Sequence, residues 1–179
     1  MQSKRIVITG GPSSGKTTII KQLEKEKFHC FEEISRVLIR ESQSKGIPQP
    51  FLTDPLGFSK SLLLARIRQF KDAEKTDQPF SFYDRGIHDI VAYMRYAGEK
   101  TPLDFHISSK SYQYDNVFIL PPWGAIHTND NERYESFEQA TQIFDELWQT
   151  YVDYGYSPVQ VPLGSVEKRT QFILDNLQS

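Results

Sequence analysis

The sequence predicts an α/β fold, a three-layer sandwich in which helices cover both faces of a five-stranded, mainly parallel sheet. Two features of the 179 residues point to it. Short apolar runs alternate with longer amphipathic stretches, which is the pattern of strands joined by crossover helices. In addition, a glycine-rich turn follows the first apolar run and opens the first amphipathic stretch, as strand-to-helix turns of such folds do.

The predicted strands share two properties. Each is rich in β-branched or aromatic residues, and each is bounded by glycine, proline or charged residues. They are Arg5–Thr9, Phe28–Phe31, Phe80–Tyr83, Asn116–Leu120 and Pro158–Val161.

The predicted helices show apolar residues at helical spacing. The longest opens with Asp54 as N-cap and Pro55 at its first position, and extends to about Glu74. A short helix is expected after Pro102. The others are Lys16–Lys25, Ile34–Gln43, Ile87–Ala97, Ser136–Tyr154 and Ser165–Leu177.

The organisation between these elements is simple. Two irregular stretches, 45–53 and 121–134, are predicted to be mobile loops. The second stretch lies at a position where a lid could close over a ligand site. We therefore expect one domain over residues 1–179, with a lid at 122–136.

Composition excludes several classes of partner. Lysine and arginine number 21 against 23 acidic residues, so no strong field attracts nucleic acid or anionic lipid, and we expect no nucleic-acid partner. The single Cys30 excludes an intramolecular disulfide framework, which favours a reducing compartment. No apolar run is long enough for a membrane span or a signal peptide. We expect a cytoplasmic protein, and the sequence leaves its oligomeric state open.

A phosphate-binding loop is the strongest motif. The segment GGPSSGKT at residues 10–17 matches G-x-x-x-x-G-K-[ST] and stands between a predicted strand and a predicted helix. Glycines allow backbone N–H groups and the helix N-terminus to converge on triphosphate oxygens. Lys16 is expected to bridge the β- and γ-phosphates, Thr17 to place its hydroxyl on Mg²⁺, and Thr18 to contact the α-phosphate. The alternative is a glycine-rich turn with an exposed lysine. The predicted binding residues for ATP, or for GTP in its place, are Gly10, Gly11, Pro12, Ser13, Ser14, Gly15, Lys16, Thr17 and Thr18.

An acid and a base follow the third predicted strand, at Asp84 and Arg85. A carboxylate at the carboxyl end of a strand beside a phosphate loop holds the Mg²⁺ shell in P-loop proteins, so Thr17 and Asp84 are the expected metal ligands. Arg85 adds a forked cation suited to phosphate or to the charge on a transferring group. The alternative is a surface turn after the strand.

Two acids end the second predicted strand. Because the carboxyl ends of strands face the ligand crevice, Glu33 is the preferred base for a hydroxyl that is being phosphorylated. Glu32 is the alternative, since strand alternation lets only one of the two point toward the site. Arg36 lies one helical turn beyond Glu33 and either orients an acceptor or simply pairs with Glu33. Glu33, Arg36 and Arg85 are therefore the expected substrate-binding residues.

These motifs, in this order and over nearly the whole chain, resemble the AAA-type P-loop family. That family includes the nicotinamide riboside kinase domain of a bacterial NAD regulator and the eukaryotic TRP-channel translocation-defect protein. The acid that ends the second strand and the Asp84-Arg85 pair also resemble deoxynucleoside and thymidylate kinases. The matching segments are residues 8–17, Glu33 with Arg36, Tyr83 to Gly86, Pro121-Pro122-Trp123, Glu132-Arg133 and Tyr154-Gly155-Tyr156.

The resemblance implies a nucleoside- or nucleotide-kinase-like architecture with an arginine in its lid, and Arg133 is the matching residue. Lid closure excludes water and brings a cation to the γ-phosphoryl group only when substrate is bound. A solvated arginine among acidic neighbours is the alternative for Arg133. Trp123 and Tyr134 are expected either as aromatic platforms near the nucleotide or the acceptor, or as loop anchors. Arg66 and Gln69, on the longest helix, either face the acceptor or are exposed at the surface, and exposure is the preferred expectation.

Two functions follow from these expectations. The first is an ATP- and Mg²⁺-dependent phosphotransferase acting on a nucleoside, a nucleotide or a similar hydroxylated metabolite. Its predicted catalytic residues are Lys16, Glu33, Asp84, Arg85 and Arg133. The second is a nucleotide-binding regulatory module that hydrolyses slowly and binds a protein or lipid partner.

Overall fold

The computed structural model describes residues 3–12, 14–124 and 136–177, and its centre is a five-stranded parallel sheet. The strand order is β2-β3-β1-β4-β5, so the first strand of the chain is the middle one. All four pairings are parallel. The strands are β1 Lys4–Gly10, β2 His29–Phe31, β3 Phe80–Asp84, β4 Asn116–Leu120 and β5 Val159–Gln160.

Helices connect the strands, and most of them match the predicted ones. Asp54 caps its helix by accepting a hydrogen bond from the Gly57 N–H at 2.9 Å. A 3-10 turn, Ala73–Lys75, follows that helix. The helices are α1 Lys16–Lys25, α2 Ile34–Ser44, α3 Pro50–Thr53, α4 Pro55–Asp72, α5 Ile87–Tyr96, α6 Leu103–Ser111, α7 Phe137–Asp153 and α8 Val166–Leu177.

Alternation along the strands sends successive side chains into two cores. On one face, Ile6 and Ile8 pack with apolar residues of α1 and α8. On the other face, Val7 packs with buried residues of α4, α5 and α7. Both faces of the sheet are therefore covered, as an all-parallel sheet requires.

The register of the strands positions the site. Ile8 of β1 lies opposite Asp84 of β3, and Gly10 lies opposite Leu120 of β4. The carboxyl ends of β1, β3 and β4 consequently meet at one edge, where chain order reverses across the sheet. That edge is where parallel α/β sheets bind ligands.

The predicted fold class is confirmed, with small differences at the ends of elements. The stretch at 45–53 was predicted to be a loop, but it contains the short helix α3. Pro50 is the first residue of that helix, a position that proline favours. Most of the expected lid at 122–136 lies outside the described residues, so the lid and the single-domain organisation remain predictions. In the described part of the chain, no helix combines the length and apolar character that crossing a bilayer requires.

Candidate active site

The phosphate loop joins β1 to α1 through backbone geometry that favours glycine. Gly10 has φ 150°, and a Cβ atom on it would lie 2.5 Å from the carbonyl oxygen of Leu120. Gly15 has φ 84° at the start of α1. Both positions would be strained with a side chain, so these glycines set the path of the loop.

Lys16 is buried beneath this loop. Its Nζ donates hydrogen bonds to the carbonyl oxygens of Gly10 at 2.8 Å and Gly11 at 3.1 Å. Burial and the charge of Arg85 together lower the pKa of Lys16 to about 8, against the opposing effect of Asp84. The ammonium group is therefore a poorly compensated buried cation, which is the state in which a phosphate group stabilises it most.

Other loop residues hold the loop in place. Ser14 Oγ donates to the Gly11 carbonyl at 2.8 Å, and the Ser14 carbonyl accepts from Arg169 Nη2 of α8, also at 2.8 Å. Thr18 is exposed and donates to the Gly15 carbonyl at 2.7 Å. Ser13, predicted to bind nucleotide, lies outside the described residues.

Asp84 ends β3 beside Lys16 and is buried. Its Oδ1 has no hydrogen-bond partner among the described residues. Burial raises the pKa of Asp84, and although the charge of Lys16 opposes this, Glu33 adds to it. A buried carboxylate oxygen without a partner fits a cation ligand. Among the described residues, no group of three or more His, Cys, Asp or Glu is placed to hold a metal ion.

Arg85 follows Asp84 in an uncommon backbone conformation, with φ 74°. Its N–H donates to the Ile8 carbonyl at 3.0 Å, which continues the ladder with β1. Its Nε donates to Glu33 Oε1 at 2.8 Å, and its guanidinium lies 5.1 Å from the ring centre of Tyr93. A non-glycine residue with positive φ at such a place is a mark of functional sites.

Glu33, rather than Glu32, meets Arg85 at the site. The Glu33 side chain is only 15% exposed, whereas Glu32 is exposed. Burial alone would raise the pKa of Glu33, but Arg85 and Lys16 outweigh it and lower the pKa to about 2. Arg36 Nε lies 3.5 Å from Glu33 Oε2, so the pairing expected as its alternative role is present.

Asp89, which sequence reasoning did not select, is the hydrogen-bonding centre of the site. It is fully buried and accepts hydrogen bonds from Thr9 Oγ1, from Arg85 Nη1 at 3.4 Å, from the Gly86 N–H at 2.9 Å and from Tyr151 Oη at 2.6 Å. One feature of the sequence could have identified it. Asp89 lies three residues after Gly86, the N-cap of α5, and an acid at that position completes the capping of a helix start.

For Arg66 the preferred expectation, surface exposure, was wrong, and the residue lines the cavity of the site instead. Arg66 is 3% exposed, because it lies on the face of α4 that also buries Leu62 and Phe70. Its Nη1 donates to the Gly86 carbonyl at 2.6 Å, while its Nε has no partner among the described residues. The long helix therefore contributes a cation to the wall of the site.

One cavity of about 830 Å³ is lined by Lys16, Glu33, Arg66, Arg85 and Asp89. One part, which we call the nucleotide part, is lined by the phosphate loop together with Trp123, Gly164 and Arg169. The other, the acceptor part, is lined by the charged residues Glu33, Arg36, Arg66 and Arg85 and by a mainly apolar wall. The wall consists of Ile39, Phe51, Phe58, Leu62, Ile90, Tyr93, Met94 and Ala97. Arg133 and Tyr134 lie outside the described residues.

Comparisons with known proteins agree with this fold. A family model described as an AAA domain matches residues 5–169. No curated protein matches the sequence. The solved NadR protein in complex with NR has TM-score 0.73 and 16% identity, over 99% of this chain and 50% of that one.

Two further solved structures are similar over almost their full lengths. Deoxyadenosine kinase from M. mycoides, with dCMP and dCDP bound, has TM-score 0.68 and 17% identity, over 97% of this chain and 98% of that one. Thymidylate kinase from Ehrlichia chaffeensis has TM-score 0.66 and 17% identity, over 99% and 100%. At these identities the likeness concerns the fold.

Proposed function

Because this chain belongs to the AAA-domain family of P-loop proteins, we propose that it is a small-molecule kinase that transfers the γ-phosphoryl group of ATP to a hydroxyl group. One observation carries the proposal: the Glu33 carboxylate and the Lys16 ammonium line the same cavity, at neighbouring parts of it. A phosphoryl donor held at Lys16 and an alcohol held at Glu33 would therefore meet. The fold similarity to nucleoside and nucleotide kinases supports the same conclusion.

The nucleotide part would bind the triphosphate through its backbone N–H groups and Lys16. The Lys16 ammonium group would exchange its hydrogen bonds to the Gly10 and Gly11 carbonyls for hydrogen bonds to the β- and γ-phosphates. Thr17 and Asp84 are the residues that would hold Mg²⁺. When bound there, Mg²⁺ supplies charge neutralisation on the phosphate oxygens.

Glu33 would orient the acceptor. A new bond forms between the hydroxyl oxygen and the γ-phosphorus, the bond from that phosphorus to the β–γ bridging oxygen breaks, and the hydroxyl proton passes to Glu33 and then to solvent. With a pKa of about 2, Glu33 is a weak base. In the loose transition state of phosphoryl transfer the proton leaves late, so orientation counts for more than basicity.

Two arginines would stabilise the transferred charge. Arg85 is held beside Glu33 and Asp89 and would contact the γ-phosphoryl group during its transfer. Arg133 would approach the γ-phosphoryl group when the lid closes, as the family resemblance implies.

The deciding experiment measures ADP release by the purified chain with Mg·ATP, with and without a panel of nucleosides. An acceptor-specific increase, accompanied by a phosphorylated product in mass spectrometry, supports the kinase. Slow hydrolysis that no acceptor changes, with partner binding that depends on the nucleotide, would instead identify the regulatory module.

A further inference from the structure

We propose that Arg169 of α8 is a further nucleotide-binding residue, whose guanidinium group binds the phosphate chain of the nucleotide. This inference rests on the proposed function for the presence of a nucleotide at the phosphate loop, and it adds a residue that none of the sequence motifs contains. It comes from the burial of Arg169, from its lack of a carboxylate partner in the described part of the chain, and from its place in the cavity.

Arg169 is a buried cation. It is 2% exposed, and its Nη2 donates to the Ser14 carbonyl at 2.8 Å. Its Nε is also buried and has no hydrogen-bond partner among the described residues. Burial lowers the pKa of Arg169, yet an arginine side chain stays protonated in proteins. The fold therefore buries a full positive charge against a neutral carbonyl.

Two other arginines of the described chain are buried to a similar degree, and each has a carboxylate that compensates it. Arg5 forms an ion pair with Glu74 at 3.4 Å. The charge of Arg66 acts on Asp89, whose pKa it lowers. For Arg169, the described residues provide neither an ion pair nor a carboxylate that raises its pKa. Because a buried charge without a counter-charge is costly, an anion bound beside Arg169 would stabilise this side chain strongly.

The cavity places Arg169 beside the phosphate loop. Arg169 lines the nucleotide part together with Ser14, Lys16 and Thr17, so α8 contributes a second cation to this part. The hydrogen bond to the Ser14 carbonyl fixes one nitrogen of the guanidinium group against the loop. The guanidinium carbon also lies 5.8 Å from the ring centre of Trp123. The group is thus held in position, and N–H donors remain for a ligand.

A phosphate is the part of a nucleotide that suits this cation. A planar guanidinium group donates parallel hydrogen bonds to two phosphate oxygens, and these charge-assisted bonds are stronger than bonds to a neutral group. A purine base would accept a hydrogen bond but would leave the buried charge without a counter-charge. Arg169 would therefore act on the same phosphate chain as Lys16 and the N-terminus of α1.

Calorimetry with the purified chain tests the assignment. The probes are Mg·AMP-PNP and Mg·tripolyphosphate, the second of which carries a phosphate chain without base or sugar. Arg169→Gln should weaken the binding of both by a similar factor of about tenfold or more, as expected for hydrogen bonds to a charged group. Arg169→Lys keeps the charge and should lose less. The matched control is Lys168→Gln, which removes the same charge from the exposed neighbouring position and should bind as the wild type does.

The outcomes separate this inference from the proposed function. If Arg169→Gln weakens the binding of AMP-PNP but not that of tripolyphosphate, Arg169 contacts the base or the sugar. If it changes neither, Arg169 only supports the loop. Both results overturn the inference and leave the kinase intact, because acceptor-dependent ADP release is measured separately. A wild-type chain that binds neither probe counts against both.

Nuclear magnetic resonance distinguishes direct contact from support of the loop. In the isotope-labelled chain, the Nε–H resonance of Arg169 is identified by its loss in Arg169→Lys. We expect Mg·tripolyphosphate to shift this resonance and to slow exchange of its proton with water, because a donor that lacks a partner gains a phosphate oxygen. A resonance that stays unchanged when the probe is bound contradicts direct contact.

Discussion

Asp89 connects several parts of the site. It accepts a hydrogen bond from Thr9 just before the phosphate loop, and it also accepts from Arg85 and from Tyr151 of α7. Burial alone would raise its pKa, but Arg66 and Arg85 outweigh this and hold the pKa below its usual value. A buried carboxylate with all these donors fixes the relative position of three chain segments.

Tyr151→Phe tests this role. Removal of the hydroxyl takes away a hydrogen bond of 2.6 Å from a buried carboxylate, and we expect a loss of about 2 kcal/mol in the free energy of unfolding. Urea unfolding measures it. Tyr112→Phe is the matched control, since the hydroxyl of Tyr112 makes no hydrogen bond that the described residues show, and equal losses in the two variants would contradict the assignment.

The proposed chemistry makes a second prediction at the residue scale. Glu33→Gln keeps the shape of the side chain but removes the carboxylate that orients the hydroxyl, so transfer should fall by about a hundredfold or more. The affinity for Mg·ATP should change little, because the nucleotide part is formed by other residues. Single-turnover kinetics and calorimetry separate the two effects, and an unchanged turnover would remove Glu33 from the mechanism.

At the scale of elements, α5 joins the site to the second core. Its N-terminal turn presents Asp89, and Gly86 precedes it because a Cβ there would approach Tyr151 Oη to 2.7 Å. One residue before Asp89, His88 points into the core. Its Nε2 donates to the Ser109 carbonyl of α6 at 2.9 Å, and aromatic rings surround it, those of Tyr114, Tyr151, Tyr154 and Tyr156.

His88 makes the packing of α5 sensitive to acid. Burial lowers its pKa from 6.5 to about 4. Below pH 6.5 the unfolded chain binds a proton that the folded chain refuses until about pH 4, so stability falls as the pH decreases through this window. The shift corresponds to about 3 kcal/mol at the acidic end of the window.

His88→Phe should reduce this pH dependence. We expect urea unfolding at pH 7 and at pH 4.5 to show a smaller difference in the variant than in the wild type, because one group that titrates only in the unfolded state has been removed. The comparison within each protein cancels the packing cost of the substitution. The same difference in both proteins would show that His88 is not responsible.

At the scale of the whole molecule, the parallel sheet brings distant segments to one edge. The start of α1, the end of β3 and the N-cap of α2 supply Lys16, Asp84 and Glu33, which lie in separate segments of the chain. Ligand binding at this edge therefore connects three separate segments of the chain. Any ligand that binds only the folded state must stabilise the whole fold.

Thermal unfolding tests this connection. Mg·ATP at about one hundred times its Kd should stabilise the chain by about 2.7 kcal/mol. For a chain of this size that corresponds to a rise in Tm of about 5 to 10 °C. Lys16→Ala should lose the rise, whereas Lys21→Ala, on the exposed side of the same helix, should keep it. An equal rise in the two variants would place the nucleotide elsewhere.

The sequence by itself determined the elements and the phosphate loop. The hydrophobic periodicity and the contiguous motif at residues 10–17 are local patterns, so they can be recognised without knowledge of long-range contacts. The position of Asp84 could also be predicted, because an acid that ends a strand beside the loop lies at the edge where parallel sheets bind ligands.

Only the tertiary structure decided which polar groups face one another. The choice of Glu33 over Glu32, the burial of Arg66 and the part played by Asp89 depend on how α2, α4, α5 and α7 pack across the sheet. A buried arginine and an exposed one have the same sequence signature on an amphipathic helix. Their difference arises from partners tens of residues away, whose positions are set by the sheet register and the packing of the helices.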